Sequence, residues 1–293
     1  MKRVTWGDRL VNLCFYLILL LLIVVCAYPI WYVMVASISD PTYVNSGAFI
    51  LLPKGIHFDA YRYAFGKSDL WSGYANTILY TLGGTLFGLV ACLPCGYGLS
   101  RKDLPARGLI MGLFVFTMYF GGGLIPTYIV ANTLHLVNTR LIMILFGSIS
   151  VYNIILIRTF FSSSIPEEMR EAAFIDGCTN TRFFVQFALP LSKAIIAVIA
   201  LYIAVGHWNN YYTALVYTTD RSIQPLQLYL RRLLLISVDN GETADPNEAA
   251  AMTQLVQVIR YAVIVISTLP IMCLYPFLQK YFVQGVMIGS IKG

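Results

Sequence analysis

The amino-acid sequence predicts an all-α membrane protein with about six transmembrane helices. Of its 293 residues, 58% are hydrophobic and only 12% are charged, whereas soluble domains carry about 25% charged residues. The charged residues are also clustered, and stretches of 30 and 31 uncharged residues lie at 10–39 and 70–100. Because a helix needs about 20 apolar residues to cross a bilayer, each stretch is long enough to hold one span.

Six spans follow from these stretches, within a single transmembrane domain over 1–293. They lie at about 12–37, 75–99, 108–130, 140–161, 189–207 and 260–279. The apolar run of the first is too long for a signal peptide, so we expect a retained helix. The fourth reaches full length only if Arg158 extends its guanidinium to the interface. The third should break near the outer face at Gly121–Pro126, because consecutive glycines and a proline interrupt a helix.

The distribution of lysine and arginine predicts the orientation of the spans. With the N-terminus in the cytoplasm, twelve of the 20 basic residues fall inside, on segments that are shorter in total than the outer ones. An even number of spans then places both termini in the cytoplasm. The two long outer segments, about 38–74 and 208–259, either contact another molecule or form a solvated cap.

The spans lack the residues that energise transport. No Asp, Glu, Lys or Arg lies in the central part of any span, where a charge costs at least about 2.5–3.5 kcal/mol and is kept for function. His207, at the outer end of the fifth span, is interpreted as an interfacial anchor. Gly66-Lys67-Ser68 resembles the end of a phosphate-binding loop, but the first glycine of that loop is missing. We therefore predict a protein that is not an enzyme and binds no metal, cofactor or nucleic acid. It either conducts passively or takes energy from a partner.

The segment 162–188, between the fourth and fifth spans, has the pattern of a helix, a bend and a second helix on the cytoplasmic surface. Ser164 and Glu167 have the spacing of a capping box, and Pro166 would lie in the first turn. Gly177 is the expected end of the helix. The second helix is expected to begin near Thr179.

The composition of this first helix favours contact with another protein. Ala172 and Ala173 make one part of it thin enough for a groove to close around it, and Arg170 and Glu171 put charge at its rim. The alternative is an amphipathic helix that lies among lipid headgroups. A capped helix ending at a glycine bend is poorly explained by lipid binding alone, which favours the protein contact.

The same segment resembles a known family. Glu171-Ala172-Ala173, followed by Gly177 and by Leu189-Pro190 twelve residues later, resembles the EAA loop of ABC importer permeases, and Glu171–Gly177 is similar to the carbohydrate-importer branch. Phe187 departs from the isoleucine that is usual in the family. Further similarity to permeases for complex oligosaccharides and polysaccharide fragments covers nearly the whole chain, at 122–128, 136–139 and 275–286.

The resemblance implies a type I ABC importer permease in the bacterial plasma membrane, forming half of the pathway for an oligosaccharide or polysaccharide. It implies four kinds of partner: a second homologous permease, a cytoplasmic ATPase dimer that binds ATP and Mg, an extracytoplasmic solute-binding protein, and membrane lipid. It also implies that the contact with the ATPase is made by Arg170, Glu171, Ala172, Ala173, Asp176 and Gly177. The alternatives are the same architecture carrying a peptide or amino acid, and a passive channel or facilitator.

Sugar binding favours aromatic surfaces with amide and hydroxyl groups. The candidates along the pathway are Tyr152, Asn153, Trp208, Asn209, Asn210 and Tyr211, with Tyr212 beside them. An aromatic belt at the membrane interface is the alternative for Trp208, Tyr211 and Tyr212, and it is the favoured one. Asn153 is the better candidate, because an amide in the middle of a span needs a polar partner or a wet cavity.

Overall fold

The computed structural model describes residues 6–46, 51–236 and 258–273, and their regular structure is helical throughout. The α-helices are α1 Trp6–Ser37, α2 Pro41–Asn45, α3 Asp59–Phe65, α4 Ser68–Ser100, α5 Arg107–Tyr119, α6 Leu124–Thr133, α7 Arg140–Leu145, α8 Val151–Ser164, α9 Glu167–Ile175, α10 Asn180–Phe183, α11 Leu189–Leu191, α12 Lys193–Trp208, α13 Tyr212–Tyr217, α14 Leu226–Ile236 and α15 Val258–Cys273. A π-helical turn at Phe184–Ala188 joins α10 to α11, and a 3₁₀ turn lies at Arg221–Ile223.

The chain divides into two compact units, 1–68 with 230–269 and 69–229 with 270–293. In the first unit, α1 is 32 residues long, and none of its most apolar part is buried. Near the end of α1, the hydroxyls of Ser37 and Tyr61 lie 2.8 Å apart. Tyr32 meets the ring of Tyr261 on α15 edge to face, with centroids 5.8 Å apart. A long apolar helix is thus fixed near its C-terminal end, while its most apolar part is left unburied by the described residues.

In the second unit, α4 is the central helix, and its glycines allow close packing. A Cβ at Gly88 would collide with the carbonyl oxygen of Ser148, and one at Gly96 would lie 2.7 Å from Cβ of Ile157. Small residues at such positions let neighbouring backbones approach closely, as is typical of helices packed in membranes.

Two buried apolar clusters surround α4. One lies at its C-terminal half, where Tyr97 packs with Ile157, Phe161 and Phe183 from α8 and α10. The other lies nearer its N-terminal half, where Tyr80 packs with residues of α6, α7, α13 and α14. The first cluster packs against α9, and the second packs against the segment that follows α13. The two halves of α4 therefore position different surfaces of the unit.

Three predicted spans are not single straight helices in the structure. The third breaks between α5 and α6, which meet at 111°, and this confirms the break expected at the glycine run. The fourth was wrongly predicted as continuous: α7 ends at Leu145, Gly147 takes a φ of +88°, and α8 begins at Val151. The fifth begins with the short α11, and the helix pair Asn180–Leu191 and Lys193–Trp208 is bent by 82°.

Within the described residues, two helices are long and apolar enough to cross a membrane, or four if each bent pair counts as one span. The first and second predicted spans correspond to α1 and α4. The sixth corresponds to the shorter apolar helix α15. Its predicted end at 279 lies outside the described residues. The motif at 275–286, Lys2, Arg3 and the part of the second outer segment at 237–257 also lie outside the described residues.

The N-terminal half of α4 binds the segment that precedes α14. Asn76 Nδ2 donates to the carbonyl oxygens of Ser222, at 2.7 Å, and Gln224, at 3.1 Å. Tyr80 Oη donates to the carbonyl of Ile223 at 2.6 Å. Three backbone carbonyls are thereby satisfied by buried side chains of one helix, which holds this segment in a defined conformation.

Asn138 lies in the stretch 136–139 that resembles the polysaccharide permeases, and it holds the start of the same segment. Its Oδ1 accepts hydrogen bonds from the backbone N–H groups of Thr219 and Asp220, at 3.0 and 2.9 Å. Its φ of +60° is a left-handed conformation that asparagine tolerates better than most residues. The role of this asparagine in the fold is therefore structural.

Candidate functional site

The helix α9 lies at the centre of segment 162–188, and none of its residues is buried. Its N-cap is Pro166, and no side chain caps it. The predicted capping box is therefore wrong, because Ser164 is the last residue of α8 and is held in that helix rather than placed ahead of α9. Glu167 and Glu168 occupy the first turn instead, where their negative charge complements the helix dipole.

The C-terminal end of α9 is closed as the sequence predicts. Gly177 has a φ of +79°, its N–H donates to Phe174 O at 3.0 Å, and the N–H of Cys178 donates to Ala173 O at 2.9 Å. These two bonds define a Schellman motif, which favours glycine because the conformation is left-handed. The second helix, α10, begins after Thr179, whose Oγ1 accepts from the N–H of Arg182 at 3.3 Å. Both predictions are confirmed.

The two sides of α9 differ in exposure. Ala173 is half-buried and packs against the apolar cluster around Tyr97. Glu171, Ala172 and Asp176 are exposed, and Ile175 is 87% exposed. We call Glu171, Ala172, Ile175 and Asp176 the exposed tip. Sequence reasoning missed Ile175, although its position four residues after Glu171 places both on one side of the helix.

Four charged side chains hold the base of α9 against the loop between α4 and α5. The guanidinium of Arg101 lies 3.1 Å from the carboxylate of Asp103 and 3.3 Å from that of Glu167. Arg170 pairs with Glu167 and lies 3.6 Å from Asp103. We call these residues the four-charge cluster. Arg170, expected at the rim, has only 16% of its side chain exposed and lies in this cluster instead.

Electrostatic interactions within the cluster keep both carboxyl groups ionised. The hydrogen bond from Arg170, with the charge of Arg101, holds the pKa of Glu167 below its ordinary value despite partial burial. For Asp103, burial would raise the pKa, but its own backbone N–H and Arg101 outweigh that effect and lower it. Both carboxylates are therefore ionised at neutral pH, and the cluster links two segments that are distant in sequence.

We expect the Glu167→Gln variant to be less stable than the wild type at neutral pH and equally stable in acid. The pKa of Glu167 is lowered on folding from 4.5. Its contribution is therefore complete above that value and is lost as the pH falls through the lower folded pKa. Partly exposed ion pairs contribute about 0.2–1 kcal/mol each. Thermal unfolding of both proteins should show a difference in Tm that is constant above pH 4.5 and shrinks as the pH falls through the lowered pKa of Glu167. The matched control is Glu168→Gln, which alters the neighbouring carboxylate outside the cluster.

The candidate pathway residues occupy two places in the structure. Tyr152 and Asn153 begin α8, where Tyr152 is 53% exposed and Asn153 is buried. Trp208 ends α12 and is only 7% exposed, with its ring 6.4 Å from that of Tyr74. In this structure it presents little aromatic surface either to lipid or to a solute.

The other candidates of the second group are local capping residues or exposed. Asn209 Nδ2 donates to the carbonyl of Val205 at 3.0 Å. Asn210 Oδ1 accepts from the N–H of Thr213 at 3.0 Å. Tyr211 is 42% exposed and precedes α13. Both amides thus form hydrogen bonds with nearby backbone groups, and this local role is sufficient to explain why asparagine stands at both positions.

His207 is a buried polar residue and not the interfacial anchor that the sequence suggested. It is 4% exposed. Its Nδ1 lies 3.0 Å from Ile203 O, and its Nε2 lies 3.3 Å from both Ser148 Oγ and Ile144 O. The ring packs against Gly84 of α4, where no Cβ could be accommodated. It therefore joins α12 to α4 and to the break between α7 and α8, a role that depends on three distant segments.

No family model matches the chain, but individual known proteins are similar to it over nearly its whole length. The polygalacturonan/rhamnogalacturonan transport system permease protein YtcP of Bacillus subtilis (strain 168) is 38% identical over 287 residues, covering 98% of this chain and 99% of that protein. Protein LplC of the same organism is 37% identical over 289 residues, covering 99% and 97%. Among solved structures, a bacterial ABC transporter involved in the import of the acidic polysaccharide alginate matches with a TM-score of 0.85 at 32% identity, covering 96% of this chain and 100% of that one.

Proposed function

Because this chain belongs to the family of permease subunits of oligosaccharide and polysaccharide ABC importers, we propose that it forms half of a sugar pathway through a bacterial plasma membrane. We propose six spans in the type I arrangement, with both termini in the cytoplasm. The apolar helices α1 and α4 and the bent helix pairs support this placement. The cargo is an oligosaccharide or polysaccharide, as the names of the relatives suggest.

The proposed partners are a second homologous permease, a cytoplasmic ATPase dimer and an extracytoplasmic solute-binding protein. The exposed apolar surface of α1 supports contact with membrane lipid or the second permease. ATP and Mg are assigned to the ATPase, because the sequence has no phosphate-binding loop. The chain itself contributes the pathway and the mechanical connection.

The coupling role is supported mainly by one observation: the tip of α9 is exposed, whereas the base of the same helix is fixed by the four-charge cluster. Burial of a side chain the size of Ile175 in a groove of the ATPase would contribute about 1.5–3 kcal/mol. Glu171 and Asp176 would provide directional charge contacts beside it. Ala172 leaves room for the groove to close, and the Schellman turn at Gly177 fixes the direction in which the chain leaves the helix.

The same helices connect this tip to the pathway. α8 carries Tyr152 and Asn153 at its beginning and leads into α9 at its end. With 14 residues at about 1.5 Å each, it spans about 20 Å. When closure of the ATPase dimer moves α9, α8 tilts with it, because the four-charge cluster resists bending at the base. ATP can shift the pathway only by its differential affinity for the two ATPase arrangements, so a stiff connection is required.

Co-expression with a candidate ATPase and solute-binding protein tests this function. We expect the chain to co-purify with the ATPase, and ATP hydrolysis to rise when the binding protein is loaded with an oligosaccharide. Stimulation by a peptide-loaded or amino-acid-loaded binding protein instead would mean that the same importer architecture carries a peptide or an amino acid rather than a sugar. Solute flux that is independent of any ATPase would identify a passive channel and reject the proposal.

A further inference from the structure

A cavity of about 700 Å³ lies beside the base of α9, outside the exposed tip. It is bounded by the end of α4, the start of α5, the end of α8 and the start of α9. Its walls combine the aromatic rings of Tyr97 and Phe161 with the basic side chains of Arg101, Arg107 and Arg158. The size is within the usual range for small-molecule sites, about 300–1,000 Å³.

The lining of this cavity carries more positive than negative charge. Four basic residues and two acidic ones line it, and Glu167 is already paired with Arg101 and Arg170. Arg158 donates to the carbonyl of Leu99 at 3.3 Å, and Arg107 donates to the carbonyl of Arg101 at 3.3 Å. Neither Arg158 nor Arg107 has an acidic partner among the described residues, although both are half-buried. Half-buried guanidinium groups with only carbonyl partners favour binding of an anion.

The hydroxyl of Tyr97 is an independent indication of a ligand. Tyr97 is 9% exposed and lines the cavity, yet its Oη has no hydrogen-bond partner within the part of the chain that the structure describes. The ring is fixed by Phe161 and Phe184, with centroids 5.4 and 4.9 Å away. A buried hydroxyl without a partner is costly, so a bound oxygen acceptor is expected beside it.

We propose that this cavity binds the phosphate of an anionic phospholipid headgroup. Arg107 and Arg158 would bind the phosphate oxygens, since a guanidinium matches their geometry. Tyr97 would donate its hydroxyl to a further oxygen, and Ser162 lines the same wall. A bare phosphate ion would fill little of the volume, whereas a headgroup with its glycerol also contacts Phe161 and the neighbouring apolar side chains. Placement in the inner leaflet rests on the proposed function, but the binding itself does not.

Lipid retention by the full chain tests this site without reference to transport. The chain, with any subunits that stay bound to it, is placed in nanodiscs of phosphatidylcholine alone or mixed equally with phosphatidylglycerol. It is then released into detergent, and the retained lipid is identified by native mass spectrometry. We expect the wild type to retain phosphatidylglycerol from the mixture. Arg158→Gln and Tyr97→Phe should each retain about tenfold less, the effect of one charge-assisted hydrogen bond.

Matched variants and a competitor separate the possible occupants. Lys193→Gln removes one exposed positive charge outside the cavity lining and should retain lipid like the wild type. Equal retention by wild type, Arg158→Gln and Tyr97→Phe would overturn the proposal. Displacement of the lipid by millimolar inorganic phosphate would overturn the lipid assignment in favour of a soluble anion. Loss of a bound ATPase from Arg158→Gln, with retention of lipid unchanged, would identify the cavity as part of a protein contact and also overturn it.

Discussion

Replacement of Glu171 by lysine should abolish solute-stimulated ATP hydrolysis while leaving the permease folded and inserted. Glu171 is exposed, and its carboxylate forms no ion pair with the described residues, so the substitution removes no observed ion pair from the fold. If the ATPase buries Ile175, however, the neighbouring position 171 loses its solvent as well. A lysine there would then place a positive charge, without water around it, against the group that pairs with Glu171. Leaving a buried charge uncompensated costs about 3–5 kcal/mol, a loss of affinity of more than a hundredfold. Co-purification of the ATPase and hydrolysis by the purified complex would measure the effect.

A matched control distinguishes the position from the added charge. Thr181 is exposed on α10, the helix that follows α9, so Thr181→Lys introduces an exposed lysine elsewhere in segment 162–188. It should retain ATPase binding and most of the hydrolysis. If Glu171→Lys couples normally, or if both variants fail equally, the exposed tip of α9 is not the specific contact.

The Gly88→Ala substitution should destabilise the folded permease. A Cβ at Gly88 would collide with the carbonyl oxygen of Ser148 and lie 2.6 Å from Cδ1 of Ile203. Backbone cannot move aside as a side chain can, so α4 must shift away from the α7–α8 break. Overpacking of this kind costs about 1–3 kcal/mol, and about 2–4 °C of Tm is lost per kcal/mol for a domain of 150–250 residues. Thermal unfolding of the purified permease in detergent measures this.

Gly98 provides the control on the same helix. A Cβ there would meet nothing within 4 Å, so Gly98→Ala should be neutral or stabilise α4 by up to about 1 kcal/mol through helix propensity. An unchanged Tm for Gly88→Ala, or an equal loss for both variants, would contradict the close packing of α4 described above.

The sequence predicts the helical class well but not the continuity of the helices. Hydropathy records how many apolar residues lie between charges, and it identifies α1 and α4 correctly. It does not record where the backbone turns. The run at Gly121–Pro126 contains enough breakers to be recognised, whereas the break between α7 and α8 depends on one glycine, Gly147, and on the packing of Ser148 against α4. Such a break follows from tertiary contacts.

The candidate site was predicted in the same uneven way. Local signals gave the exposed position of Glu171, the turn at Gly177 and the cap at Thr179, because each depends on residues within one or two turns. The four-charge cluster was missed because Arg101 and Glu167 are 66 residues apart. Similarly, the burial of His207 and of Trp208 depends on distant segments, including Gly84 and Tyr74 of α4.

Uptake by sealed proteoliposomes tests the central claim, that this chain transports only by mechanical contact with an ATPase. The permease and its partner permease are reconstituted with the solute-binding protein and a labelled oligosaccharide, with or without the ATPase and ATP. We predict accumulation of the sugar against its gradient only when the ATPase and ATP are both present. Accumulation against the gradient by the permeases alone would contradict the account.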